Sequence, residues 1–213
     1  LGRGWQTPAD ARLEIQDELV LFYDGSPGGA VFETLPSDKP VMEASNGALL
    51  AKAADGYTVT VKSGLRYHFA QPFADGQTPV SRISDPCGNT IAFERSDGNL
   101  AGINDSAGRS LHISCDKGRI VETSCNRRLL VRYHYHRGQL TAAQDPSGHN
   151  RRYAYDDQQK MVRHSDRNHL SFYYEYDARG RCTRTDGDGG LYDTRLHYEP
   201  YQRLTHVTDA QGH

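Results

Sequence analysis

Among the residues of this chain that could do chemistry, two histidines are the strongest candidates for metal ligands. His134 and His136 lie two residues apart, so a β-strand would present both imidazoles on the same face. A closed metal site needs further ligands, and His112 or Arg152 could lie in line on neighbouring strands. Because arginine is not a metal ligand, we favour the polar face of an ordinary strand and predict no metal site.

An acidic, glycine-rich stretch suggests a second possibility, a calcium loop. It runs Asp186-Gly-Asp188-Gly-Gly190. In the EF-hand pattern an oxygen ligand would stand at Gly190 and an invariant glycine at Leu191, so the stretch does not fit. We predict a glycine-rich turn there and no cofactor anywhere in the chain.

Motifs for covalent catalysis do not occur in the sequence. It contains no Gly-x-Ser-x-Gly elbow and no glycine-rich phosphate loop. The four cysteines form no Cys-x-x-Cys pair, and Cys115 and Cys182 fall at repeat positions that other copies fill with apolar or aromatic residues. We predict no catalytic residues and no enzyme, and we favour free thiols over the alternative of a disulfide.

Charge and hydropathy limit the partners. The net charge of −2 gives no general attraction to nucleic acid. The most apolar stretch, residues 19–23, is too short to span a membrane, and residues 1–30 lack the pattern of a signal peptide. We therefore predict neither a nucleic-acid partner nor a membrane span.

The elements that would position these residues repeat through the second half of the chain. Pairs of alternating apolar residues recur, aligned on Phe93, Ile113, Tyr133, Tyr153, Tyr174 and Leu196. The steps between copies are 20, 20, 20, 21 and 22 residues. A second apolar position follows in each copy: Leu100, Ile120, Leu140, Met161, Cys182 and Leu204. A period of this length indicates a repeat architecture.

Each copy predicts two strands and two turns. Residues 131–136 alternate apolar and polar, as a half-buried strand does, and a polar turn and a shorter strand follow. Most copies close with Asp-x-x-Gly, which suits a type I turn: 85–88, 105–108, 145–148, 186–189 and 209–212. The closing turns at 124–127 and 166–169 depart from this pattern, although the repeat length holds.

Residues 1–82 lack the repeat but are also strand-like. Glycine-containing loops separate strand pairs at 18–35 and 57–69, which predicts two hairpins. Residues 44–54 have helical composition, interrupted by Gly47, and predict at most a turn or two of helix. Residues 72–79 are expected to form a loop. We assign 1–82 to an N-terminal hairpin region and 83–213 to six repeats, and expect one continuous sheet.

The repeats resemble the Rhs/YD-repeat family. The resemblance rests on Tyr153-Ala-Tyr-Asp156, on Tyr174-Glu-Tyr-Asp-Ala-Arg-Gly-Arg181 and on the Asp-x-x-Gly turns, and Gly2-Arg-Gly-Trp5 is similar to the segment that opens the shell region of bacterial members. The expected structural positions of the repeat are Tyr133, Tyr135, Tyr153, Tyr155, Asp156, Tyr174, Tyr176, Asp177 and Tyr198. Of these, Tyr133, Tyr153 and Tyr174 are expected to form a row on one sheet face, each in contact with the next.

The resemblance implies a fold and a function. The fold would be all-β, a long antiparallel meander of repeated hairpins that forms a curved sheet in the wall of a hollow cocoon. The function would be to enclose a C-terminal toxin, assembled in the bacterial cytoplasm and delivered to competing cells, commonly by type VI secretion. Expected partners are the remainder of the shell, the toxin, and a secretion spike or chaperone. A cell-surface carbohydrate-binding module is the alternative.

Two further expectations concern the limits of the chain. The family's self-cleaving members carry Asp-Pro-x-Gly-Trp near the end of the shell, and this sequence has no match to it. We therefore expect neither the protease nor the toxin in this chain, and interpret it as a piece of something larger. Exposed strand edges would then favour self-association.

Overall fold

The computed structural model describes residues 1–70 and 77–213. Across this part of the chain the secondary structure consists of twenty β-strands and two short 3₁₀ turns, Pro8–Asp10 and Asp188–Gly190, with no α-helix. The prediction of an all-β, antiparallel fold is therefore confirmed. The chain forms two compact units: Leu1 and Arg3–Arg128 make the N-terminal unit, and Gly2 and Leu129–His213 make the C-terminal unit.

The N-terminal unit contains the first twelve strands. They are β1 (Arg12–Gln16), β2 (Leu19–Tyr23), β3 (Gly29–Phe32), β4 (Val41–Met42), β5 (Leu49–Ala53), β6 (Gly56–Thr60), β7 (Arg66–Ala70), β8 (Gln77–Ser84), β9 (Thr90–Ser96), β10 (Asn99–Asp105), β11 (Ser110–Asp116) and β12 (Arg119–Cys125). Strand β8 connects them, because it pairs with β7 and also with both β1 and β9. Strand β8 runs across residue 82, where we predicted that the N-terminal region ends and the repeats begin. That boundary stays a prediction.

An apolar core fills the N-terminal unit. Phe22 of β2 meets Tyr67 and Phe69 of β7 edge-on, with ring centroids 5.1 and 6.0 Å apart. The ribbon of β1 to β3 therefore packs over the sheet that contains β7. Leu13 and Leu50 are fully buried in the same cluster. Alternation along each strand places these side chains inward, as expected of a half-buried strand.

Both hairpins predicted in residues 1–82 are present. Strand β2 pairs with β3, and β6 pairs with β7. The turn between β6 and β7 is longer than a two-residue hairpin turn, since Thr60 pairs with Arg66.

Two other predictions for this region need correction. Residues 49–53, expected to be helical, form strand β5, because Leu50 pairs with Val59 and is buried beside it; tertiary pairing overrides the weak helical propensity. The loop predicted at 72–79 lies outside the described residues up to 76, and residues 77–79 belong to β8.

The C-terminal unit is a meander of the remaining strands. They are β13 (Arg128–His136), β14 (Gln139–Gln144), β15 (Asn150–Tyr155), β16 (Met161–Ser165), β17 (Ser171–Tyr176), β18 (Cys182–Gly187), β19 (Leu191–Glu199) and β20 (Leu204–Thr208). Each strand from β13 to β19 pairs antiparallel with the next one in the chain. The predicted succession of hairpins is confirmed here.

A β-bulge recurs in the hairpins of the repeat. In β13–β14, Tyr135 lies opposite Leu140 and His134 lies opposite Ala142, so Thr141 is the extra residue. The bulge sends Leu140 to the tyrosine side of the sheet and Ala142 to the other side, although they are only two residues apart. The hairpins β9–β10, β11–β12, β15–β16 and β17–β18 shift register in the same way.

Candidate functional site

One face of the C-terminal unit carries the predicted tyrosines. Cross-strand pairing places seven of them on the same side, here called the tyrosine face: Tyr133, Tyr135, Tyr153, Tyr155, Tyr174, Tyr176 and Tyr198. Each ring is half-buried. Tyrosine suits such a surface because its ring packs while its hydroxyl remains free to find a partner.

In three copies the tyrosine at the second aromatic position binds the preceding repeat through its hydroxyl. The Tyr155 hydroxyl donates to the Leu140 carbonyl over 2.9 Å. The Tyr176 hydroxyl donates to the Met161 carbonyl over 2.7 Å, and the Tyr198 hydroxyl donates to the Cys182 carbonyl over 2.6 Å. The acceptors are the predicted second apolar positions, so the same bond joins three successive pairs of repeats.

A cation from the preceding repeat covers two of these rings. Lys160 Nζ lies 5.5 Å from the centroid of Tyr176, and the Arg181 guanidinium lies 4.5 Å from that of Tyr198. Each cation immediately precedes the residue whose carbonyl accepts the hydroxyl. Cation–π attraction therefore adds to the hydrogen bond. We call the hydroxyl–carbonyl bond, together with the covering cation where one is present, the inter-repeat clasp.

The aspartates of the Tyr-x-Tyr-Asp pattern organise the turns. Asp156 Oδ1 accepts from the backbone N–H groups of Gln158 and Lys160. Asp177 Oδ1 accepts in the same way from Arg179 and Arg181, and its other oxygen accepts from Arg181 Nε. These bonds fix the residue that takes part in the clasp, so the turn and the clasp form one unit.

The closing turns use the same device. Asp85, Asp105, Asp145 and Asp209 each accept from the backbone two and four residues on. The turn at 166–169, predicted to depart, has this geometry too: Asp166 accepts from Asn168 and Leu170, and His169 adopts the left-handed φ of 71° that glycine takes elsewhere. The other departure, at 124–127, is real, with Asn126 and Arg127 both left-handed.

The last hairpin of the C-terminal unit departs from the pattern. Glu199 stands where Asp156 and Asp177 stand in the preceding copies, and its longer carboxylate binds His206 instead of the turn. Thr205 then lies opposite Tyr198, and no bulge forms. The predicted apolar position, Leu204, is therefore wrong for this copy: it faces away from the tyrosine face and is 45% exposed.

Histidine interrupts the predicted row of first tyrosines. One strand separates Tyr133 from Tyr153, and another separates Tyr153 from Tyr174. In the second gap His164 lies opposite Tyr153, stacks on Phe172 with centroids 5.3 Å apart, and its Nδ1 lies 2.8 Å from the Tyr174 hydroxyl. A direct tyrosine-to-tyrosine row stays a prediction, since the contacts described here pass through His164.

The electrostatics of the site follow from packing and hydrogen bonding. Burial raises the pKa of Tyr133, Tyr153 and Tyr174. The hydrogen bond from the Arg181 backbone is the first cause that lowers the pKa of Asp177. These three tyrosines therefore stay neutral, and the aspartate stays the charged acceptor of its turn.

Of the two candidate metal sites, one consists of exposed side chains and the other contains an aspartate that is held in hydrogen bonds. His134 and His136 are exposed on the face opposite the tyrosines. Asp188 accepts from the Ser171 backbone and the Tyr173 hydroxyl, at 2.8 and 2.9 Å. Among the described residues no group of three histidine, cysteine or acidic side chains could hold a metal.

Sequence reasoning missed half of the clasp. It identified the tyrosines but not the carbonyl acceptors or the covering cations. Two signals were available: tyrosine, not phenylalanine, at the second aromatic position, and a cation directly before Met161 and Cys182. No helix of the described chain has the length and apolar character to cross a membrane.

Comparison with known proteins gives one family. A family model described as Teneurin YD-shell matches residues 86–205, which is more than half of the chain. No curated protein matches the chain significantly in sequence.

Several solved toxin structures are distantly similar. A crystal structure of TcdB2-TccC3-Cdc42 is 9% identical, with a TM-score of 0.42, over 87% of this chain and 14% of that one. A crystal structure of TcdB2-TccC3-TEV is 10% identical, with a TM-score of 0.37, over 92% of this chain and 12% of that one. The Photorhabdus luminescens Tc holotoxin pore with a TccC3 variant is 13% identical, with a TM-score of 0.34, over 91% and 10%. At these TM-scores the similarities carry no assignment. The chain spans about a seventh of the length of the first structure's chain and a smaller share of the chains in the other two.

Proposed function

We propose that this chain, which belongs to the Teneurin YD-shell family, forms part of the wall of a hollow Rhs-type shell that encloses a toxin. The family match is the observation that carries the proposal. The clasp supports it, because one joint that recurs between successive repeats lets a sheet grow by addition of hairpins. The role is structural, and we propose no enzymatic activity for this segment.

Protection of the cargo from protease tests the proposal in the parent protein. The double variant Tyr155→Ala/Tyr176→Ala removes two clasps, whereas Tyr192→Ala/Tyr201→Ala removes two largely exposed tyrosines as a matched control. We expect the cargo to resist digestion in the parent and the control and to be cut in the clasp variant. A parent protein whose cargo is cut as fast as free cargo would overturn the proposal.

We further propose that the shell assembles in the bacterial cytoplasm and reaches competing cells by type VI secretion, with a spike or chaperone as partner. A competition assay tests the route: killing should disappear in a strain whose secretion sheath cannot contract. The alternative of a carbohydrate-binding module has less support. The hydroxyls of Tyr155, Tyr176 and Tyr198 already bind backbone carbonyls, so they are not available to a glycan.

A further inference from the structure

The face opposite the tyrosines carries a row of polar side chains that the shell function does not use. In this row His134 of β13 lies opposite Ala142 of β14, and Ala142 lies opposite Arg152 of β15. The two polar side chains are exposed and stand on either side of a small alanine. Strands two apart are about 10 Å from each other, so the row leaves a shallow gap between an imidazole and a guanidinium.

Carboxylates are missing from the strand positions on this face around the gap. None of the positions that β13 to β16 present on this face is acidic, and the basic ones include Arg132, His134, His136, Arg152 and Arg163. The aspartates nearby in sequence lie in turns, where Asp145, Asp156 and Asp166 bind backbone N–H groups. The surface around Ala142 is therefore basic and rich in hydrogen-bond donors.

Other arginines of the same unit are paired with acids. Arg184 binds Asp193 through two nitrogens and also contacts Glu175. Arg181 binds Asp177. In contrast, the side chains of Arg152 and Arg163 make no hydrogen bond or ion pair within the described residues. In this they differ from Arg184, whose charge is neutralised by the acids that it binds.

We propose that the surface over Ala142 is a binding site for an oxyanion: a carboxylate, sulfate or phosphate group. Arg152 would donate two parallel N–H bonds to it, the geometry in which a guanidinium recognises such groups. His134 donates one N–H from the opposite side of the gap, which a neutral imidazole can do. Arg163, which lies opposite Ala154 one strand further on, adds positive charge. Ala142 leaves the room that a larger side chain would fill.

Amide chemical shifts of the full chain, titrated with three probes at low ionic strength, test this site. The probes are inorganic sulfate, inorganic phosphate and a uronic-acid oligosaccharide. We expect the amides around Ala142 and Arg152 to shift with saturation, and Arg152→Gln to weaken binding about tenfold, as the loss of a charge-assisted hydrogen bond does. The preferred probe identifies the source: sulfate or phosphate favours a tetrahedral oxyanion, and the oligosaccharide favours a carboxylated glycan.

Two controls keep the test specific. Arg179→Gln removes the same charge from an exposed turn of the same unit and should leave binding unchanged. Ala142→Glu keeps Arg152 but supplies an internal carboxylate, and should abolish binding, whereas Ala178→Glu should not. Equal weakening by Arg179→Gln and Arg152→Gln, or shifts spread evenly over the surface, would show unspecific charge attraction and overturn the site.

Discussion

The two units of this chain are stabilised by different means. The N-terminal unit has a continuous apolar core, in which Leu13, Leu50 and Val59 are fully buried. In the C-terminal unit, Leu140 is the one fully buried apolar side chain among the described residues. Its strands are held by backbone ladders, aspartate-capped turns and the clasp. The same repeat thus continues from a region with a core into a region with almost none.

This difference teaches how a repeat sheet keeps its register without a thick core. Where little apolar area is buried, a one-residue slip costs little hydrophobic free energy, so specific bonds must fix the pairing. The bulge and the capped turn set which residue faces which, and the tyrosine hydroxyl fixes each repeat to the one before. We therefore expect the two units to differ in how their stability arises. In the C-terminal unit the free energy of unfolding should be a sum of local contributions from each repeat and its neighbour.

The largest expected effect compares two phenylalanines. Phe69→Ala in the N-terminal core should lower the free energy of unfolding by about 3–5 kcal/mol, because it leaves a cavity. Phe172→Ala in the C-terminal unit should cost less than half of that, since Phe172 is only half-buried where it stacks on His164. Urea unfolding followed by amide signals of each unit measures both. Equal losses would mean that the C-terminal unit has a core of its own.

The second expected effect is a difference between the two units in their stability to acid. Hydrogen bonds lower the pKa of Asp177 in the folded state, so its stabilising effect is present above the unfolded pKa and is lost as the pH falls through the folded pKa. Asp105 in the N-terminal unit behaves alike. The N-terminal core compensates for that loss and the C-terminal unit cannot. On acidification below pH 4, hydrogen exchange should therefore accelerate first in residues 129–213; simultaneous acceleration would contradict this.

The sequence predicted the positions of the hairpins better than the contacts that join the repeats. Period-2 alternation and turn residues located the hairpins, because both are local properties. They did not reveal the bulge at Thr141 or the acceptor carbonyl of Leu140, because these depend on which strand lies beside which. They also mispredicted residues 49–53, where pairing with Val59 decides the conformation, and the turn at Asp166, where histidine takes the place of glycine.

The clasp gives a smaller and sharper test. Tyr176→Phe keeps the ring and removes the hydroxyl that binds the Met161 carbonyl, so it should destabilise the C-terminal unit by about 0.5–1.5 kcal/mol. Tyr201→Phe is the matched control, because its side chain is fully exposed and should be neutral. Exchange of amides near Met161 and Tyr176 reports the effect. If both variants behave alike, the hydroxyl contributes nothing and packing alone joins the repeats.

The smallest expected effect comes from the hairpin that lacks the device. Glu199→Asp places a carboxylate at the length that caps the turns after Tyr155 and Tyr176, within reach of the backbone two and four residues on. The turn should then tighten, Thr205 should bulge, and Leu204 should move opposite Tyr198. The gain should be about 0.5 kcal/mol, since one new cap is offset by the lost contact with His206.

A second substitution, Leu204→Ser, tests whether the leucine has moved. It should be neutral in the parent protein, where the leucine is exposed, and should lower stability in the Glu199→Asp background, where the leucine is packed. A double-mutant cycle measures this coupling, and a coupling of zero would show that the aspartate sets neither the bulge nor the facing of the apolar position.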